Sequence, residues 1–488
     1  MRGNRRARGR LRRCVGAVVT VLLVAAGATL LPAPVDRQAH AVVARPNILL
    51  FMSDDQADGT LSAMPTVRWL QSIGTSYTRY FDSFPLCCPT RAAVLTGQYS
   101  HNSGVWSNGP PDGGYPALQD KDNTIAAWLH DGGYQTAILG KILNGYHYAV
   151  DGVPAGWDFW RVAEDPIYDY YDTRIRDENG VSTDYPDAYK TETYTSLALD
   201  LIDELDPTRP WFLWLSPNAP HAGKPFDTDD SHSVPTCSPS GLWRDRYEGT
   251  RLPHPAQFNE KDVSDKPRHI RDLPPLTKHV QRAIVEAYSQ QLECLRSLDT
   301  YLARVIAHLA EIGELADTDI IYVSDNGWAF GEHRVPAGKS LPYDYAARLP
   351  LVAAGPDFPP AVDRRPRSSV DLAATITDLA GVTPPYPLDG TSLRTAVDPN
   401  RPILHEGKVA ESAGVHYGIS RYAGIRLPSW FYAQYLYDDG TSDAELYNLV
   451  SDPGELQSLH GDPQFAVFES ALAGLLAKYR FCAGPTCP

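Results

Sequence analysis

Positive charge is scarce in this chain. It has 44 lysines and arginines against 59 aspartates and glutamates in 488 residues, which gives a net charge of −15. Residues 1–44 hold eight arginines and one aspartate, a local charge of +7, so the rest of the chain carries about −22. Such an acidic surface argues against nucleic acid as a partner. A local cationic pocket must therefore attract any anionic substrate.

Long apolar runs are also lacking, with one exception near the N-terminus. Residues 15–31 are mostly apolar, follow an arginine-rich start, and precede the small-residue sequence Ala-His-Ala at 39–41. This pattern predicts a secretory signal peptide over residues 1–41, with cleavage after Ala41 or, as second choice, Ala44. An uncleaved N-terminal anchor is the alternative. We expect a secreted or extracytoplasmic protein without stable membrane insertion after cleavage.

Cysteine is sparse, with seven residues in the whole chain. In an exported protein, cysteines tend to form disulfides. Cys482 and Cys487 are near enough in sequence to close a short C-terminal loop, and Cys237 with Cys294 is another possible pair. Sequence alone leaves the pairing open.

Apolar runs of strand length alternate with helical patterns over most of the chain. This order predicts an α/β fold with a large, mostly parallel sheet sandwiched by helices, over residues 45–398. Residues 217–275 are predicted to be a loop-rich insertion, and residues 399–488 a small α+β domain. The predicted strands are 47–52, 134–139, 210–215, 319–324, 349–354, 417–427, 430–437 and 446–449. The predicted helices are 64–74, 90–97, 123–131, 191–205, 279–312, 370–380 and 463–480.

Polar side chains follow two of the predicted strands. Asp54 and Asp55 come after the first strand, and Asp325 and Asn326 come after the strand at 319–324. Active sites in open α/β sheets collect at the carboxyl ends of strands. Oxygen ligands favour a hard divalent cation, so the sequence predicts Ca²⁺, with Mg²⁺ as the alternative. Taken singly, each motif is equally typical of a helix cap or a tight turn.

The most specific motif is Cys-Cys-Pro-Thr-Arg at residues 87–91, at the start of a predicted helix and followed by Leu-Thr-Gly at 95–97. This motif resembles the signature of the sulfatase family. The resemblance implies that Cys87 is oxidised to Cα-formylglycine by a formylglycine-generating enzyme, while Cys88 fills a variable position. The alternative is a buried structural cysteine pair before an ordinary helix. The helix N-terminus suits an anion such as sulfate.

Further motifs extend the resemblance over nearly the whole chain after residue 44 and imply an alkaline-phosphatase-like fold. They are Gly140-Lys141, Asn218 to His221, Gly338-Lys339, and the C-terminal Glu445 to Leu449 with Asp452 to Leu456. Details around residues 86–102 and 140–158 resemble the N-acetylglucosamine-6-sulfatase and heparan 6-sulfatase branch. The sequence departs from common sulfatases in two places, where Leu143 replaces a histidine and Thr90 replaces a serine.

The resemblance implies a role for each candidate residue. Hydrated formylglycine at position 87 attacks sulfur, and the sulfoenzyme then collapses by elimination to restore the aldehyde. Lys141, Lys339 and the metal hold the sulfuryl oxygens, and Arg91 orients the nucleophile. His221 is the candidate acid for the leaving alcohol, with His333 a weaker pocket candidate. The expected metal ligands are Asp54, Asp55, residue 87, Asp325 and Asn326, and their clustered charge is a second reason to expect a cation.

The expected reaction is hydrolysis of sulfate monoesters, with 6-sulfated amino sugars of glycans such as glycosaminoglycans as substrates. Three alternatives remain open at this point. One is a phosphodiester or phosphonate monoester hydrolase of the same superfamily, and another is an arylsulfatase of broad specificity. The third is a non-catalytic binder of sulfated glycans in which Cys87 is never converted.

Overall fold

A ten-stranded sheet organises the larger part of the protein. The computed structural model describes residues 45–253 and 256–488, so the predicted signal peptide lies outside the described residues. The strands are β1 (Asn47–Ser53), β2 (Thr75–Tyr77), β3 (Tyr80–Phe81), β4 (Gln135–Gly140), β5 (Phe159–Glu164), β6 (Asp172–Arg176), β7 (Ser182–Pro186), β8 (Trp211–Ser216), β9 (Thr318–Ser324), β10 (Leu351–Ala354), β11 (Ala361–Asp363), β12 (Arg367–Ser368), β13 (Ile403–Ser412), β14 (Val415–Arg426), β15 (Trp430–Tyr437) and β16 (Ser442–Asn448). The large sheet has the order β11-β2-β10-β9-β1-β8-β4-β5-β6-β7.

The middle of this sheet is parallel, as the near-continuous apolar runs predict. Strand β1 pairs in parallel with β8 on one side and β9 on the other, and β8 pairs in parallel with β4. Ser53 lies opposite Ser324, and Gly140 lies opposite Ser216. Because these registers align the carboxyl ends of four strands, the residues that follow them meet at one edge of the sheet.

Helices cover both faces of the sheet. Ile48 and Leu50 pack into one apolar cluster with helices α2, α5 and α11, whereas Leu49 and Phe51 pack into another with α1, α7 and α9. This alternation follows from the two-residue period of a strand. The helices are α1 (Pro65–Ile73), α2 (Cys87–Thr96), α3 (Ser100–Ser103), α4 (Gly114–Ala117), α5 (Ile125–Asp131), α6 (Tyr148–Asp151), α7 (Lys190–Glu204), α8 (Arg268–Arg271), α9 (Lys278–Glu311), α10 (Asp344–Ala347), α11 (Asp371–Ala380) and α12 (Ala466–Tyr479).

A small antiparallel sheet of the order β13-β14-β15-β16 forms the C-terminal domain together with α12. The mixed α/β fold with a small C-terminal domain therefore agrees with the sequence prediction. The boundary at residue 398 stays a prediction, and β13 is the first strand after it.

Sequence reasoning missed several elements. It assigned no strand to β13 or to β5, β6 and β7, the last three strands at one side of the large sheet, and it placed the start of α2 at residue 90 instead of Cys87. Strand β13 contains His405, Glu406 and Lys408, so it lacks an apolar run. Strands β5, β6 and β7 are short and partly exposed. Whether such a segment forms a strand depends more on the strand it pairs with than on its own residue pattern.

Both possible disulfides are formed, Cys237–Cys294 and Cys482–Cys487. Cys87 and Cys88 are free and buried. Among the described residues, no helix has both the length and the apolar character needed to cross a bilayer.

Candidate active site

The candidate site lies where β1 and β9 end side by side. Asp54 and Asp55 follow β1, and Asp325 and Asn326 follow β9. The backbone N–H of Asp55 donates to Asp325 Oδ1 at 3.1 Å, and Asn326 Nδ2 donates to Asp55 Oδ1 at 2.6 Å. The prediction that these two strand ends form one site therefore matches their position in the fold. All four side chains are buried.

Helix α2 brings Cys87 to the same place. Cys87 is the first residue of the helix and has no exposed surface. Its Sγ lies 2.8 Å from Lys339 Nζ and 3.7 Å from Asp54 Oδ1. Burial raises the pKa of the Cys87 thiol to about 12, although Lys141 and Lys339 oppose this effect. A thiol that stays protonated near neutral pH is a poor nucleophile.

Arg91 lies one helical turn after Cys87 and is completely buried. Its Nε donates to Asp325 Oδ2 at 3.0 Å, and its guanidinium also contacts the Lys141 carbonyl and Ser216 Oγ. Because these partners follow or end β9, β4 and β8, Arg91 joins the carboxyl ends of three strands to the start of α2. Sequence reasoning missed Ser216, although its position at the end of an apolar strand is the signal that would have found it.

Two lysines contact the aspartates that follow β1. Lys141 Nζ donates to Asp54 Oδ2 at 2.6 Å, and Lys339 Nζ donates to Asp55 Oδ1. Burial lowers the pKa of each lysine, but the adjacent carboxylate and the other acidic groups nearby together outweigh burial, so both pKa values lie above the ordinary value. Burial likewise opposes ionisation of Asp54 and Asp55. Nearby cations nevertheless hold both pKa values below the ordinary value, and the strongest of them are Lys141 for Asp54 and Lys339 for Asp55.

His221 reaches this group from the loop after β8. Its Nε2 lies 3.5 Å from Asp55 Oδ2, and its Nδ1 donates to the Ala222 carbonyl at 2.7 Å. Burial lowers the pKa of His221, although Asp55 and Asp54 oppose this effect. The neutral ring therefore presents an unprotonated Nε2, and donation from Nε2 requires the imidazolium form.

We call the residues joined by these contacts the charge cluster. Their three carboxylates are balanced by two lysines and one arginine, so clustered negative charge by itself no longer requires a metal ion. The sequence analysis did not foresee that each carboxylate has a cationic partner, and the cation itself stays a prediction. The charge cluster consists of Asp54, Asp55, Cys87, Arg91, Lys141, His221, Asp325, Asn326 and Lys339.

The donor set nevertheless fits a divalent cation. Asp55 Oδ2 and Asn326 Oδ1 are buried acceptor atoms without a hydrogen-bond partner. Ligand atoms from Asp54, Asp55, Cys87 and His221 lie within 4.8 Å of one another. His221 was not among the predicted metal ligands, whereas Asp325, which was, already has a partner on each carboxylate oxygen.

Two other histidines lie elsewhere. His333 Nδ1 contacts Glu260 Oε2 at 2.5 Å, and its ring packs on Tyr343 with centroids 4.7 Å apart. His101 contacts Glu406 and the Cys482 carbonyl. The structure therefore does not bring His333, the weaker pocket candidate, together with the charge cluster. Its neighbours are Glu260 of the insertion and Tyr343 and Tyr345 at helix α10.

Comparison with known proteins identifies the family. The family model described as Sulfatase matches residues 46–382, and the model described as N-sulphoglucosamine sulphohydrolase, C-terminal, matches residues 331–481. The chain belongs to the sulfatase family. This sulfatase is therefore a hydrolase of sulfuric esters.

Its relatives differ in the substrates that their names give. An arylsulfatase of Volvox carteri is 30% identical over 502 residues, which cover 92% of this sulfatase and 76% of the relative. An N-acetylglucosamine-6-sulfatase of Homo sapiens is 27% identical over 495 residues, which cover 91% and 86% of the two chains.

Solved structures share the fold at lower identity. A protein in complex with its substrate D-glucosamine-2-N,6-O-disulfate superimposes on this sulfatase with a TM-score of 0.70 and 22% identity, covering 89% of this chain and 97% of that chain. The phosphonate monoester hydrolase of Agrobacterium radiobacter gives a TM-score of 0.69 and 21% identity, covering 89% and 95%.

Proposed function

We propose that this sulfatase removes 6-sulfate groups from amino sugars of glycans, using Cα-formylglycine made from Cys87 and a divalent cation, Ca²⁺ in preference to Mg²⁺. The observation that carries the proposal is the position of Cys87 Sγ, buried and 2.8 Å from Lys339 Nζ at the start of α2. The raised pKa of the thiol disfavours an unmodified cysteine as the nucleophile. The N-acetylglucosamine-6-sulfatase relatives support the sugar.

The expected cation would be held by Asp54, Asp55, Asp325 and Asn326, together with residue 87. When bound, it supplies positive charge for the ester oxygens and favours the deprotonated form of the nucleophile. When present, formylglycine supplies a hydrated aldehyde that can accept a sulfuryl group and release it by elimination.

The chain's own side chains supply the remaining functions. Lys141 and Lys339 are positioned to hold the sulfuryl oxygens, and their neighbours already fix both ammonium groups in place. Arg91 keeps the start of α2 aligned with the strand ends. His221, once protonated on Nε2, is the candidate to give a proton to the leaving alkoxide.

Export is part of the proposal. The two disulfides suit an oxidising compartment, which agrees with the signal peptide predicted from the sequence. A formylglycine-generating enzyme is then the partner required during maturation.

Mass spectrometry of the tryptic peptide 80–91 tests the modification. This peptide contains both Cys87 and Cys88, so fragmentation separates the two positions within one molecule. We expect formylglycine at 87 and an unmodified thiol at 88. Cys87→Ala should reduce turnover to background, and Cys88→Ala should retain most of it. Full activity with a thiol at position 87 would disprove the formylglycine mechanism.

The role of His221 is tested by changing the leaving group. A nitrophenolate leaves without a proton, whereas a sugar alkoxide needs one. His221→Ala should therefore lose roughly 10²–10⁴-fold on glucosamine 6-sulfate and much less on 4-nitrophenyl sulfate. Equal losses on both esters would assign His221 to binding or structure instead.

The second candidate function is hydrolysis of phosphonate monoesters or phosphodiesters. The fold shared with the phosphonate monoester hydrolase supports this second candidate. A panel of matched sulfate, phosphate and phosphonate esters with the same alcohol separates the two, because only the transferred group changes.

A further inference from the structure

Tyr168 has no role in the scheme above, yet it touches two members of the charge cluster. It lies between β5 and β6, and its ring stacks on His221 with centroids 4.1 Å apart and planes 16° apart. Lys141 Nζ lies 5.3 Å from the centroid of the same ring. The tyrosine therefore contacts the candidate proton donor and one of the lysines that would hold sulfate.

The loop that carries Tyr168 is fastened to the loop that carries His221. The Tyr168 carbonyl accepts from Lys224 N at 2.8 Å, and Tyr170 N donates to the Lys224 carbonyl at 2.7 Å. Tyr170 Oη donates to the His221 carbonyl at 2.7 Å. Because the two loops are joined on both sides of the ring, the stacked geometry is held before any substrate binds.

Two cavities meet at Tyr168. A cavity of about 410 Å³ contains Lys141 in its wall and is bordered by charged residues, including Arg174, Arg176 and Glu164. A larger cavity of about 740 Å³ lies beside Ala222, whose carbonyl holds the His221 ring. Its lining is mostly apolar and includes Pro166, Ile167, Tyr168, Phe226, Val234 and Pro235.

We propose that Tyr168 is a positioning residue that holds the His221 ring and forms part of the wall against which the ring of the leaving alcohol packs, in the larger cavity. The proposal rests on the proposed function, because it takes His221 to be on the leaving-group side of the ester. Aromatic side chains pack well on a six-membered ring with an apolar face, whether aryl or pyranose. The apolar walls of the larger cavity suit such a ring better than the charged walls of the smaller one.

The test compares Tyr168→Phe with Tyr168→Leu. The first variant keeps the ring and removes the hydroxyl, and the second removes the ring. Tyr171→Leu is the matched control, because Tyr171 lies in the same segment but packs on Tyr189. For each variant we would measure kcat and KM on glucosamine 6-sulfate and on 4-nitrophenyl sulfate, and calorimetric binding of the two alcohols, glucosamine and 4-nitrophenol.

Tyr171→Leu should stay close to the enzyme of original sequence in every measurement. Tyr168→Phe should retain more alcohol binding and a higher kcat than Tyr168→Leu, because it keeps the ring. Tyr168→Leu should weaken binding of the alcohol roughly 3- to 10-fold. It should also lower kcat more on the sugar ester than on the nitrophenyl ester, because only the sugar needs the proton that His221 supplies. Comparison of glucosamine binding with 4-nitrophenol binding shows which of the two rings the larger cavity prefers.

Two results would overturn the proposal. One is unchanged alcohol binding in Tyr168→Leu, and the other is equal damage from the Phe and Leu variants. Failure of the proposed function looks different. In that case the enzyme of original sequence does not turn over glucosamine 6-sulfate, while the binding measurements still decide whether the alcohol packs on Tyr168.

Discussion

The carboxylates of the charge cluster, at the edge of the large sheet, and the carboxylate of Glu445 in the small sheet are all buried, but their partners differ. Glu445 Oε2 accepts from the hydroxyls of Tyr343 at 2.7 Å and Tyr447 at 2.8 Å, and its Oε1 accepts from Tyr435. We call these four residues the Glu445 cluster. In the charge cluster, Asp55 Oδ2 and Asn326 Oδ1 have no such donor.

This difference supports the roles proposed for the two groups, one structural and one functional. Buried polar atoms are normally hydrogen-bonded, so an unpaired acceptor indicates a missing partner. Both oxygens of Glu445 have donors, Tyr435 and Tyr447 from the C-terminal domain and Tyr343 from the segment before helix α10. The charge cluster is balanced in charge but incomplete in hydrogen bonds, which is the condition expected of a site that receives an ion or a substrate.

Removal of metal should have the largest effect and should act on the charge cluster alone. Exhaustive chelation should reduce sulfatase activity to background and lower the melting temperature, because a ligand at 100 times its Kd stabilises the fold by about 2.7 kcal/mol. Ca²⁺ should restore both. Activity that is indifferent to chelation would show that the unpaired acceptors do not bind a required cation.

Loss of a lysine from the charge cluster should come next. Lys141→Ala and Lys339→Ala should each lower kcat by roughly 10²–10³-fold, because each removes a donor aimed at developing negative charge. The losses should be similar on sugar and aryl sulfates, since the sulfuryl group is the same in both. A loss confined to one ester would place the lysine at the leaving group instead, and kinetics on the two esters decides this.

Breaking the Glu445 cluster should affect stability and leave catalysis intact. Glu445→Leu removes the acceptor of three buried hydroxyls, each of which costs about 1–3 kcal/mol when unpaired. Denaturant unfolding should show a loss of about 3 kcal/mol or more, with kcat per folded molecule unchanged. Glu445→Gln keeps one oxygen acceptor and should lose less. A fall in kcat without a fall in stability would contradict a structural role.

The smallest effect concerns His101, which joins the large domain to the C-terminal domain. Its Nδ1 lies 2.8 Å from Glu406 Oε2, and its Nε2 lies 2.8 Å from the Cys482 carbonyl. Burial lowers the pKa of His101, but Glu406 outweighs burial and holds it above the ordinary 6.5. The extra stability is therefore complete below pH 6.5 and is lost as pH rises through the raised pKa.

The melting temperature should consequently fall more steeply between pH 6 and pH 8 in the protein of original sequence than in His101→Gln. Glutamine is polar but does not titrate, so it removes only the pH-dependent part. Parallel curves for the two proteins would mean that His101 keeps one protonation state throughout this range.

Local pattern was enough to predict much of the fold and of the site. Apolar runs over 47–52 and 319–324 predicted buried parallel strands, and strand-end chemistry then predicted that Asp54, Asp55, Asp325 and Asn326 would lie together. The motif at Cys87 predicted the family. These features were readable because a buried strand or a helix start leaves its signal in adjacent residues.

Tertiary structure alone decided the rest. Strands β5, β6, β7 and β13 depend on neighbouring strands that supply their hydrogen bonds. The hydroxyls that surround Glu445 come from three separate segments. The contacts within the charge cluster join segments that are distant in sequence. Lys339 and Asp55, for example, are 284 residues apart. The neutral ring of His221 and the stacking of Tyr168 on it depend on such segments too. Sequence specified which side chains carry the chemistry, because residue type sets charge and donor count. Packing specified which of them meet, because a contact distance depends on the whole path of the chain between them.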